Sequence, residues 1–146
     1  MSVTFIVGVD GSDASNRALA FAKRQASLVG EECKLMLVCV VEWSPYKFQT
    51  TEENAIRHKQ KQEESDSAQK RVIDPLLEAL KNDGINAEGR VIHGKAATIL
   101  NNIAVENNAE QIFVARSTEQ GLSARVFGSV TANLVMGSNV PVTVVS

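Results

Sequence analysis

Apolar and polar positions along this chain switch repeatedly between a strand pattern and a helix pattern. The run VTFIVGV (Val3 to Val9) is continuously apolar and β-rich, and Asp10-Gly11-Ser12 ends it. That predicts a strand buried on both faces. DASNRALAFAKRQASLVG then follows a helical period. Ser12 or Asp13 can cap this helix, Ala18, Leu19, Ala22, Ala26 and Val29 form its apolar face, and Gly30 stops it. KLMLVCVVE predicts a second buried strand. From Thr51 to about Lys81 the pattern is helical but uneven. Its first half, TEENAIRHKQKQEESDSAQK, is almost wholly polar and predicts a solvated face. Apolar spacing is strongest at Val72, Ile73, Leu76, Leu77 and Leu80. Asp74-Pro75 falls there and marks a kink, or a fresh start with Asp74 as cap and Pro75 at the first helical position. After Asn82-Asp83-Gly84, NAEGRVI predicts a more exposed strand suited to a sheet edge. AATILNNIAVENN predicts a helix, EQIFVA a short strand, GSVTANLVMGS a helix and VPVTVVS a last strand.

The order is therefore β-α-β-α-β-α-β-α-β. Strands alternating with helices imply an α/β fold, an open doubly wound parallel sheet covered on both sides and joined by right-handed crossovers. The length of 146 residues suits a single domain spanning residues 1–146. A net charge of −2 gives no electrostatic case for nucleic acid or an anionic membrane. No apolar run approaches the roughly 20 residues of a membrane span. The opening MSVTFIVGVDGS lacks the basic start of a secretory signal. Alternation places Cys33 and Cys39 on one face of one strand, too far apart to bridge. A cytoplasmic protein with buried thiols is expected.

In open α/β sheets, ligands bind beyond the carboxyl ends of the strands, where strand order reverses. Three segments leave strands there: Val9-Asp10-Gly11-Ser12, Val40-Val41-Glu42, and the long stretch from Ala115 to Ser129. Connections in compact domains usually span about 4–6 residues, so the last is conspicuous. Asp10 can accept a hydrogen bond from an amino group or sugar hydroxyl, or close an Asx-turn before the first helix. Gly128-Ser129 opens a helix whose free N–H groups suit an anion, or it is a plain serine cap. Arg116 and Arg125 flank the loop and can neutralise phosphate, or are solvated surface arginines. His58 lies in the polar half of a helix. His93 lies at the end of the strand predicted for the sheet edge and reads as a surface residue. No nucleophile elbow, zinc motif or P-loop lysine pattern is present. No catalytic or metal-binding set is expected, and slow ATP hydrolysis is the most chemistry the residues suggest.

Taken together, GVDGS with Ser15 and Ala18 behind it, LVCVVE, VIHGKAATIL and VFGSVTANLVMGSNVPVTVVS resemble the universal stress protein family over essentially the whole chain. The resemblance implies a Rossmann-like, adenine nucleotide alpha hydrolase-like fold, with a five-stranded parallel sheet in order 3-2-1-4-5 and four helices. It also implies a stress-response module binding ATP or AMP at the switch point, with Mg2+ only beside ATP. The family's loop pattern, G-x2-G-x9-G-[ST], ends here on Gly128-Ser129, and its first two glycines fall on Ala115 and Thr118. The family's adenine-recognising aspartate matches Asp10. Val40 matches the residue packing on the base, and Val9 would line the same pocket. The amides of Gly128, Ser129 and Val130 and the Ser129 hydroxyl would hold phosphates, assisted by Arg116 or Arg125 and by Thr118. A homodimer through Val140 to Val145 is implied as well. Because Ala115 and Thr118 replace glycines, a second reading stays open: a dimeric interaction module of the same family that binds no nucleotide.

Overall fold

A computed structural model describes residues 2–30, 32–42, 51–116 and 129–146. The strands are β1 (Val3–Gly8), β2 (Cys33–Val41), β3 (Asn86–His93), β4 (Gln111–Ala115) and β5 (Val142–Val145). They form one parallel sheet in the order β3-β2-β1-β4-β5. The helices are α1 (Asp13–Val29), α2 (Thr51–Ala68), α3 (Asp74–Asn82), α4 (Ala96–Glu106) and α5 (Ser129–Gly137). A π-helical turn, Gln69–Ile73, joins α2 to α3, so these make one continuous segment and the helical segments among the described residues number four.

The apolar runs follow from burial on both faces. Phe5, Val7, Leu35, Leu37 and Phe113 point to one side, against Leu19, Ala22 and Ala26 of α1 and against Ile73 and Leu80. Ile6, Met36, Val38, Ile112 and Val114 point to the other, against Leu100, Ile103 and Ala104 of α4 and Leu134 of α5. With both sides covered, a strand has no polar positions to spare. Phe5 and Phe113 meet edge to face with ring centroids 5.1 Å apart. β3 is an edge strand, half-buried along most of its length, as its mixed sequence predicts. Cys33 and Cys39 are free, buried and packed in the same layer.

Three local readings need correction or choice. Val29 does not belong to the apolar face of α1. It is 46% exposed, because the buried stripe ends at Ala26, one turn before Gly30. Ser12, not Asp13, is the N-cap: its side chain accepts from the Ser15 N–H. Asp74 is not a cap: it is the first residue of α3, with Pro75 next, and the helical backbone runs on through it from the π turn. It has helical dihedrals, its N–H reaches back to the Gln69 carbonyl, and its side chain accepts from Gln69 Nε2 at 2.7 Å. A proline ring inside a helix collides with the carbonyl four residues back and lacks an N–H to offer it. The wide π turn lies immediately before Pro75, where such a turn relieves that conflict without ending the helix.

The same turn seats Ile73, which is fully buried. A Cβ on Gly89 of β3 would lie 2.4 Å from Ile73 Cγ2, so the strand needs a glycine where the turn presses on it.

Candidate functional site

β1 pairs with β2 on one side and β4 on the other, so the chain's strand order reverses at β1. Beyond the carboxyl ends of these strands lies a cavity of ≈ 310 Å³. Its inner walls are apolar: Val9, Val38, Val40, Leu100 and Val114. Asp10, Ser12, Ser15, Glu42, Ser129 and Thr131 supply the polar groups.

The turn after β1 fixes Asp10. Ser12 donates its N–H to Asp10 Oδ1 at 2.9 Å, and its hydroxyl donates to the same oxygen. The Asp10 N–H in turn reaches Ser15 Oγ at 3.2 Å. Gly11 makes the turn possible with φ +83, a conformation that disfavours a side chain. Asp10 therefore closes an Asx-turn with one carboxylate oxygen, and its other oxygen has no hydrogen bond among the described residues. Its charge also bears on the core: Cys39 has its thiol pKa raised, first by burial and second by Asp10.

The far side of the cavity is set by α5. Thr131, which is buried, donates its hydroxyl to the Ala115 carbonyl at 2.7 Å and ties the first turn of α5 to the end of β4. That contact holds Ser129 and Val130, at the start of α5, in the cavity wall. Glu42, just past β2, reaches across to α4: its Oε1 accepts the Ala96 N–H at 3.2 Å. Lys95, the N-cap residue of α4, makes no side-chain cap of its own, so a carboxylate from the neighbouring strand satisfies an orphan donor of that helix. A larger groove of ≈ 540 Å³ opens between α4 and α5 and adjoins the cavity.

A model of the Universal stress protein family matches residues 1–146. This chain belongs to that family. Universal stress proteins of Mycobacterium tuberculosis strains H37Rv and CDC 1551 are each 27% identical to it over 143 residues, 97% of this chain and 94% of theirs. Among solved structures, universal stress protein UspA from Lactobacillus plantarum is 19% identical with a TM-score of 0.81, covering 99% of this chain and 97% of its own. A universal stress protein in complex with cAMP is 25% identical with a TM-score of 0.67 over 99% and 97%. An Arabidopsis thaliana family protein with AMP bound is 14% identical with a TM-score of 0.64 over 98% and 90%. The sheet order 3-2-1-4-5 with four helical segments is the arrangement expected of this universal stress protein fold.

Of the residues singled out in this universal stress protein's sequence, Val9, Asp10, Val40, Ala115, Ser129 and Val130 line the one cavity. Arg116 does not. It is exposed, and its N–H is bonded to the Val145 carbonyl at 2.8 Å. Thr118, Arg125 and Gly128 lie outside the described residues. Sequence reasoning put Glu42 in a segment at the strand ends but gave it no role, and it did not place Ser15 or Thr131 in the wall. Glu42 carried a signal, an acid directly after a buried strand at the switch point. Thr131 carried none, since its partner is a backbone carbonyl.

His93 is not the surface residue its position suggests. Its side chain is 6% exposed, lying beneath α2 with Nδ1 3.2 Å from Ser65 Oγ and Nε2 3.7 Å from Glu64 Oε2. Nε2 is buried without a hydrogen bond among the described residues. Among the described residues, no cluster of three or more His, Cys, Asp or Glu side chains has metal-binding geometry, and no helix is long and apolar enough to cross a membrane.

Proposed function

We propose that this universal stress protein binds an adenine mononucleotide in the cavity at the carboxyl ends of β1, β2 and β4. One observation carries the reading: a single space joins apolar walls, a fixed carboxylate acceptor and a helix N-terminus. Val9, Val38, Val40, Leu100 and Val114 suit the faces of a purine. The free oxygen of Asp10 suits its amino group. The first N–H groups of α5 and the Ser129 hydroxyl suit a phosphate, favoured by the helix dipole. At ≈ 310 Å³, and opening into the adjoining groove, the cavity lies within the range of small-ligand sites. For the additional phosphates of ATP, with Mg2+ only beside ATP, the sequence resemblance offers Arg116, Arg125, Thr118 and Gly128. The relatives with cAMP and AMP support the same class of ligand.

The test is calorimetric titration with AMP, cAMP and ATP, repeated on Ser129→Ala. Saturable binding is expected, weakened about 5- to 150-fold by loss of the hydroxyl. Absence of binding by all three nucleotides would refute the reading. It would then favour the dimeric interaction module, for which the replacement of loop glycines by Ala115 and Thr118 speaks. The dimer itself belongs to both readings, and would act in the cytoplasm through the edge strand β5, within Val140 to Val145.

A further inference from the structure

We infer that Glu42 reads the ribose: its carboxylate accepts from the sugar hydroxyls and makes the cavity selective for ribonucleotides over deoxyribonucleotides. This rests on the nucleotide reading above and goes beyond it by naming what discriminates one sugar from another.

Position comes first. The inner cavity and the groove between α4 and α5 share four lining residues: Glu42, Ala96, Ser129 and Val130. These mark a waist between two spaces of different character. Inside the waist the walls are largely aliphatic, the place for a base. At the waist stands the N-terminus of α5, the place for a phosphate. A nucleotide's sugar is bonded to both, so it must lie between them. Glu42 is the one charged side chain at the waist among the described residues. Asp10, by contrast, lines the inner space alone, which leaves it to the base.

Chemistry agrees with position. Glu42 Oε1 is held by the Ala96 N–H, so the carboxylate is oriented before any ligand arrives. Its second oxygen has no hydrogen bond or ion pair among the described residues. The described lining of the inner cavity holds two carboxylates, Asp10 and Glu42, and no lysine or arginine. A carboxylate so placed is stabilised by donors, and ribose offers two adjacent O–H groups. An acid at the end of the second strand reading a ribose hydroxyl is a solution other doubly wound folds use at the same topological place.

The experiment compares AMP, 2′-deoxy-AMP and 3′-deoxy-AMP by calorimetry on the unaltered protein, Glu42→Gln and Glu42→Ala. Glutamine keeps an acceptor for the Ala96 N–H, so the start of α4 survives, and thermal melts of both variants check the fold. The unaltered protein should bind AMP about 10- to 100-fold more tightly than at least one deoxy analogue, the range for a hydrogen bond to a charged group. Glu42→Gln should narrow that ratio and Glu42→Ala should abolish it, with the affinity for the deoxy analogue little changed. Equal binding of all three ligands by the unaltered protein overturns the assignment and leaves the nucleotide site standing. An undiminished ratio in Glu42→Gln, or one that survives in Glu42→Ala, does the same. Failure of the unaltered protein to bind any of the three removes both readings together.

Discussion

Single atoms decide two places in this molecule. At Asp10, one carboxylate oxygen holds Ser12 and the other has no hydrogen bond among the described residues, so one side chain both closes the turn and lines the cavity. At Gly89, the absence of a Cβ makes room for Ile73. The backbone there needs no unusual φ, so the requirement is wholly one of space. Gly89→Ala should lower stability by about 1–3 kcal/mol, the usual cost of overpacking a closed core. Urea unfolding should show a lower midpoint with an unchanged slope. A variant as stable as the parent would mean that Ile73 has somewhere else to go.

Among the elements, α2 is the outlier. It buries none of its own residues, and its polar sequence made that legible in advance. What the sequence did not reveal is how it stays on the sheet. The π turn and His93 anchor its C-terminal end, the turn through Ile73 and the histidine through Ser65. A hydrophobic period reports which side chains are buried, but not an extra residue in a helical turn, and a lone histidine gives no sign of what will lie over it. The strands were legible because burial on both faces leaves them continuously apolar. The cavity was legible where strand ends converge, at Val9, Asp10, Val40 and Ser129. It was illegible at Ser15 and Thr131, whose roles depend on contacts made across the fold. His93→Ala should free the end of α2. Amide hydrogen exchange should quicken in the last two turns of α2 and stay unchanged in β1 and β2. Uniform exchange in parent and variant would show that the histidine holds nothing.

At the scale of the whole molecule, the sheet has two edges, β3 and β5. β5 is short, and its valines are half-buried. The carbonyls of Pro141 and Val145 are spent on β4, bonded to the N–H groups of Ile112 and Arg116. Backbone groups alternate in direction along a strand, so those of Val142 and Val144 face outward. An unpaired apolar edge invites another strand, and a second copy of this chain is the partner its family resemblance implies. Light scattering should give twice the chain mass for the parent. Val144→Pro, which removes an outward N–H and spares the bonds to β4, should give a monomer. A parent that scatters as a monomer at all accessible concentrations would refute the dimer.

The placement of β1 in the middle of the sheet has a consequence for biosynthesis. β1 leaves the ribosome before the other four strands of this sheet, yet one of its two neighbours is β4, with Phe5 set beside Gln111, 106 residues further along the chain. At the usual pace of translation, β1 must wait on the order of 5–20 s for that neighbour to be made. During that time a strand destined for the deepest layer of the protein stands with one side open. Stalled or truncated products ending before β4 should therefore be the forms of this protein that need chaperones most.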